Sequence, residues 1–241
     1  MFNLFPVAAA VIPAVFLLIK VYKADRLERE PTGLIVSLVI LGIISTSVAG
    51  FLEQIGISVL KIAFEENSLI YNLILYFGIV AFAEEGAKYV LLKKRTWNST
   101  HFNCSFDAVV YSVSVSLGFA LWENIAYVKM FGFSTAVVRA VTAVPGHACF
   151  GVFMGVWYVA AKRWANRGEL FKSGACRKKA LLIPALMHGA YDFLTTLSGS
   201  YGSFIWLVFV IILFSLAYNR VRISAKNDEY INYDRYNSFF S

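Results

Sequence analysis

The chain has 241 residues, of which 59% are hydrophobic, 16% aromatic and only 15% charged, with a formal net charge of +7 and a mean hydropathy of +0.64. A soluble domain of this size carries about a quarter charged residues, so the composition excludes a soluble globular enzyme. It points to an all-α, polytopic integral membrane protein. The positive charge does not argue for nucleic acid, because Lys and Arg collect in the cytoplasmic loops of membrane proteins.

Apolar runs near or above about 18 residues predict seven spans, at approximately 2–22, 33–56, 68–92, 106–128, 134–161, 179–197 and 202–219. The first run has no preceding basic region and is read as a retained span rather than a cleaved signal. All 22 basic residues except Lys61, Lys88, Lys129 and Arg139 fall in alternate loops or in the tail. That asymmetry predicts an N-terminus outside and a C-terminus in the cytoplasm. Residues 1–219 read as one transmembrane domain with a core at about 68–197, and 220–241 as a polar, partly disordered cytoplasmic tail. No internal repeat is evident. Cys104, Cys149 and Cys176 show no CxxC spacing and are expected to be free thiols.

The informative residues are ionisable groups placed inside apolar runs, each costing about 2.5–3.5 kcal/mol on insertion scales. Span three carries Glu84, Glu85 and Lys88; span four, Glu123 and Asn124; span five, Arg139 and His147; span six, His188 and Asp192. Four consecutive spans contribute, which predicts a four-helix functional core. Glu84 and Lys88 are one turn apart in the favourable order. Glu85 points about 100° away from Glu84, so the two carboxylates have different tasks. His188 and Asp192 share a face, and Pro145-Gly146 before His147 is expected to break or kink its helix.

Depth gives a mixed picture. At about 1.5 Å per residue, Glu84 and His188 both lie about 13 Å from the basic end of their spans, whereas His147 lies about 22 Å from it. Glu123 and Arg139 share the outer half and are expected to pair. Tilt or a kink at Pro145 is needed to bring the set together. The other polar positions read as structural: His101 as a solvated loop residue, Asp107 as a cap at the start of span four, Glu53 as an interfacial residue of span two.

Several chemistries fit these groups. Glu84 beside Lys88 is suited to activating a water molecule. His188, held by a carboxylate, is suited to positioning that water or protonating a leaving group. His147 and Asn124 are candidate donors to a tetrahedral oxygen. No G-x-S-x-G motif or Cys–His pair suggests a covalent route. Metal use stays open between metal-free catalysis and a divalent metal such as zinc held by His147, His188 and Glu84, a set with room for water. A non-enzymatic immunity or sensor protein and a proton-coupled transporter are alternatives, the latter disfavoured by the absence of repeats.

The ordered motifs EEGAK (84–88), FALWEN (119–124), His147 in HACFG, and HGAYD (188–192) resemble the PrsW-type intramembrane proteases. That type lies within the wider group of CAAX-processing proteases and bacteriocin-immunity proteins. The resemblance spans roughly residues 70–200, and the FxxxEN form is similar to the PrsW branch. It implies a multi-pass protease of the bacterial cell membrane that makes the first cut in a membrane-anchored anti-sigma factor, with no nucleic-acid partner. The resemblance implies Glu84, Glu85, His147 and His188 as catalytic residues, with Lys88, Glu123, Asn124 and Asp192 in support.

Overall fold

The computed structural model describes residues 4–231, with side chains described at position 8 and from position 10 onward. The described residues are helical, with one isolated bridge between Cys104 and Tyr230. The helices are α1 (Leu4–Ala24), α2 (Thr32–Ala63), α3 (Leu69–Leu73), a π-helix (Ile74–Val80), α4 (Ala81–Thr96), α5 (Asp107–Phe131), α6 (Phe133–Val141), α7 (Ala143–Asn166), α8 (Leu170–Thr195) and α9 (Gly199–Lys226). Five segments are long and apolar enough to cross a membrane: α2, the continuous rod 69–96, α5, the α6–α7 unit and α9. The predicted span six corresponds to α8, whose apolar stretch is shortened by Lys178 and Lys179 at one end and Asp192 at the other. The predicted span at 2–22 corresponds to α1.

α5 is the central rod, packed by α1, α2 and α7. Its sequence alternates small and β-branched residues, and Ser112, Ser114 and Ser116 are buried within it. Ser112 and Ser114 return their hydroxyl protons to the backbone carbonyls of Ala108 and Val110, which lets hydroxyls sit in an apolar interior. Gly42 of α2 faces the Val115 carbonyl of α5, and Gly118 faces the Val39 carbonyl of α2, so a Cβ at either position would collide with backbone. Gly151 and Gly155 of α7 face Ser116, Ser112 and Ala108 in the same way. Small residues therefore set the close approach of α2, α5 and α7. The outer faces are apolar and exposed, for example Val36, Ile40, Ile44 and Phe51 on α2 and Phe204, Leu207 and Ile211 on α9.

Three local findings differ from expectation. Span five is two helices, α6 and α7, and the break falls at Thr142 rather than at Pro145-Gly146. Pro145 occupies the first turn of α7, where its missing N–H has no intrahelical partner to lose. Asp107 does not cap its own helix; its Oδ2 accepts from the backbone N–H groups of Asn103 and Cys104 in the preceding loop. α9 continues to Lys226, beyond the predicted end of span seven. Residues 228–231 then lie along the 103–106 loop, with Ser105 N–H donating to Glu229 O and Ile231 N–H to Asn103 O. The rest of the predicted tail, 232–241, lies outside the described residues. The three cysteines are free and buried, and His101 is exposed.

Candidate active site

α4 presents Glu84, Glu85 and Lys88 to the interior, all three buried. The Lys88 ammonium donates to Glu85 Oε1 at 2.7 Å and to Glu84 Oε2 at 3.2 Å. It also lies 3.1 Å from His147 Nδ1 and 3.8 Å from the centre of the Phe119 ring. Lysine was expected to serve Glu84; its shorter bond goes to Glu85. The two carboxylates divide as their helical angle requires: Glu84 lines a cavity, and Glu85 is fully buried behind it.

Each histidine is fixed by carboxylate from a different helix. His188 Nδ1 lies 3.0 Å from Glu85 Oε1, and its Nε2 lies 3.3 Å from Asp192 and 3.9 Å from Glu84. Phe150 stacks on the His188 ring at 4.8 Å. His147 Nε2 lies 2.9 Å from Glu123 Oε2. Lysine only donates, so a bond from Lys88 to His147 Nδ1 makes that nitrogen the acceptor and Nε2–H the donor to Glu123. Arg139 Nη2 lies 2.7 Å from the same Glu123 oxygen, which realises the expected Glu123–Arg139 pair. Arg139 Nε donates to Asn124 Oδ1, and Asn124 Nδ2 donates to the Ala10 carbonyl of α1. Both amide atoms of Asn124 are thus engaged, one by Arg139 and one by the α1 backbone, away from the position expected of an oxyanion donor.

The residues meet despite their different depths by residue count, in a bundle whose backbone is interrupted by the α6–α7 break and by the π-helix before α4. The π-helix places Tyr76, Val80 and Glu84 on the wall of one cavity. Gly189 of α8 approaches so closely that an added Cβ would strike Phe77. One donor atom from each of Glu84, Glu85, His147 and His188 lies within 4.8 Å of the others. The two histidine rings are 5.3 Å apart and perpendicular.

This donor set fits a divalent metal. Two imidazoles and two carboxylates are the ligand types zinc takes. His147 is backed by Glu123 and His188 by Glu85, the carboxylate support that orients metal-bound imidazoles. Glu85 Oε2 is buried without a hydrogen-bond partner. Lys88 donates to three of the same four residues, so its ammonium gives up His147 Nδ1 when a metal takes that nitrogen.

The cavity is about 1110 Å³ and is walled by α2, the π-helix, α4, α5, α6, α7, α8 and α9. Glu53 of α2 lines it with Thr46 and Gly50, at helical spacing. The sequence reading placed Glu53 at the interface; the i, i+4, i+7 spacing of Thr46, Gly50 and Glu53 was the available signal.

Comparison with known proteins gives a consistent result. A family model described as PrsW family intramembrane metalloprotease matches residues 30–217. Protease PrsW of Bacillus subtilis (strain 168) is 32% identical over 190 residues, covering 79% of this chain and 82% of that protein. Protease PrsW of Shouchella clausii is 32% identical over 213 residues, covering 88% and 93%. Protease PrsW of Halalkalibacterium halodurans is 30% identical over 233 residues, covering 95% and 100%. No solved structure matches the chain.

Proposed function

This chain belongs to the PrsW family of intramembrane metalloproteases, and from that premise we propose that Glu84, Glu85, His147 and His188 form its catalytic centre. It is a membrane-embedded peptidase, and its substrate is a membrane protein. The observation that carries the site assignment is the meeting of these four residues, from three helices, beside a large cavity within the bundle. The immunity, sensor and transporter alternatives are not favoured.

The reaction is hydrolysis of a peptide bond by an activated water. A divalent metal held by His147 and His188, which line the cavity with Glu84, would supply a more acidic water and polarise the peptide carbonyl. Glu84 is the glutamate that lines the cavity, so it accepts the water's proton and passes it to the leaving amine. Glu85 and Lys88 are buried behind it and hold the arrangement: Glu85 orients His188, and Lys88 neutralises the paired carboxylates. Glu123, fixed by Arg139, orients His147. Asp192 contacts the cavity-facing nitrogen of His188. Enclosure by the bundle keeps these charges from bulk water and strengthens their interactions.

The substrate we propose is a single-span anti-sigma factor, cut first by this enzyme, in the bacterial cytoplasmic membrane. The asymmetry of the basic loops supports an N-terminus outside and a C-terminus inside. The FxxxEN motif at 119–124 supports reading the PrsW family as a branch of the wider CAAX-protease group. The test is reconstitution of the pure protein in liposomes with single-span anti-sigma substrates, with fragments followed by mass. Cleavage by wild type that is lost in Glu84→Gln supports the assignment. Equal cleavage by Glu84→Gln overturns the site, and no cleavage of such substrates by folded wild type overturns the substrate class.

A further inference from the structure

One carboxylate of the large cavity has no part in the chemistry assigned above. Glu53 of α2 lines the cavity together with Glu84, Glu123 and Asp192. Each of the other three has a basic partner: Glu84 has Lys88, Glu123 has Arg139 and Asp192 has His188. Glu53 forms no ion pair with any described residue. Its neighbours Leu52 and Ile55 are exposed on the apolar outer face of α2, whereas Glu53 is half-buried. An ionisable group held inside a membrane bundle without a counter-charge is costly, and such groups mark a pathway or a ligand.

Helix register places Glu53 beside the reacting groups. Four residues before it, Ala49 shares an apolar cluster with Ala83 and Ala87 of α4. Three residues after it, Gly56 comes so close to Ile79 of the π-helix that an added Cβ would meet that side chain. α2 and the 69–96 rod therefore run antiparallel, and Glu53 stands at the level between Ile79 and Ala83. That is one helical turn, about 5 Å, from Glu84, on the side away from the basic loops. A peptide laid along the cavity in extended form advances about 3.3 Å per residue. Glu53 thus faces roughly the second or third residue from a bond poised at Glu84.

We propose that Glu53 is a specificity-determining residue that receives a lysine or arginine side chain of the substrate, close to the scissile bond on the side away from the basic loops. This role rests on the reading of the cavity as the peptidase site. Among the carboxylates that line the cavity, Glu53 is the one left for a substrate to neutralise. A cationic side chain compensates a carboxylate drawn out of water more fully than a neutral donor does. A neutral residue leaves Glu53 unpaired, and an acidic residue adds a like charge where the bundle excludes water and little screens it.

The test uses the full chain in liposomes with single-span substrates that carry Lys, Ala or Glu at the second and third residues beyond the cut, the cut being located by fragment mass. kcat/KM is measured for wild type, Glu53→Gln and Glu53→Lys. Binding of the same substrates is followed by photo-crosslinking in Glu84→Gln, with and without Glu53→Gln. Wild type is expected to favour the Lys substrate over the Glu substrate by at least about tenfold. The preference is expected to vanish in Glu53→Gln and to reverse in Glu53→Lys. Crosslinking in Glu84→Gln is expected to follow the same order and to lose it when Glu53→Gln is added. A Lys-to-Glu ratio in Glu53→Gln equal to that of wild type overturns the proposal. So does a loss of cleavage common to all three substrates, which would make Glu53 a catalytic or structural residue. If Glu53→Lys does not fold, the isosteric Glu53→Gln carries the decision. Equal cleavage by Glu84→Gln overturns the catalytic assignment alone, and the ratio in Glu53→Gln still decides the role of Glu53. If wild type cleaves none of the substrates, crosslinking decides it: equal capture of the Lys and Glu substrates overturns the proposal.

Discussion

His188 Nδ1 and Glu85 Oε1 lie 3.0 Å apart although 103 residues separate them in the chain. This bond joins α8 to α4 and turns the other imidazole nitrogen toward Glu84 and Asp192. It gives the two adjacent glutamates different tasks. Glu84→Gln is expected to lower cleavage by about 10²–10⁴-fold with little change in melting temperature. Glu85→Gln is expected to lower both, because Lys88 and His188 lose their closest carboxylate. Cleavage assays run alongside melting curves separate these outcomes; equal loss of stability in the two variants would contradict the division.

Metal dependence has a graded signature. A strong chelator is expected to abolish cleavage, and readdition of a divalent metal to restore it. Glu123→Gln leaves His147 in place but removes its support, so metal affinity is expected to fall about 10–100-fold. Metal content measured after dialysis against a competing chelator checks this. Retention of metal equal to wild type would remove Glu123 from the site's support.

Arg139 lines the cavity and bonds to both Glu123 and Asn124. Arg139→Ala is expected to cost about 1.5–3 kcal/mol through lost charged hydrogen bonds and to reduce cleavage through His147. Arg139→Lys is expected to recover part of the activity, since it keeps the charge but not the fork that spans both partners. Thermal unfolding and cleavage rates measured together for both variants check the order.

Helix packing makes an independent prediction. Gly118→Leu places side-chain atoms against the Val39 carbonyl, where the backbones already touch. Separation of α2 from α5 is expected to cost at least about 1–3 kcal/mol, seen as a lower melting temperature in detergent. Leucine at Gly86, which has open space around its Cβ position, serves as the control and is expected to leave the melting temperature within a few degrees of wild type.

The membrane class and the candidate residues were legible because both are properties of local sequence. Hydropathy over a span depends on composition, and an ionisable group inside such a span is conspicuous wherever the helix turns. The i, i+4 spacings of Glu84 with Lys88 and His188 with Asp192 also survived, since they depend only on the pitch of one helix. The Glu123–Arg139 pair followed from similar depth on consecutive spans.

What lay between helices was decided by tertiary structure. Residue counting puts His147 several ångströms from the plane of Glu84, yet the two meet in one site in a bundle that carries a break at Thr142 and a π-helix at Ile74–Val80. Asn124 and Glu123 are neighbours in sequence, yet Asn124 faces α1 and Glu123 faces His147. Glu53, expected at the interface, faces the cavity, on the helix whose Gly42 touches the α5 backbone. The sequence by itself determined which groups must be kept from lipid. The rotation and register of packed helices, set by where small residues allow backbones to touch, determined which of those groups meet.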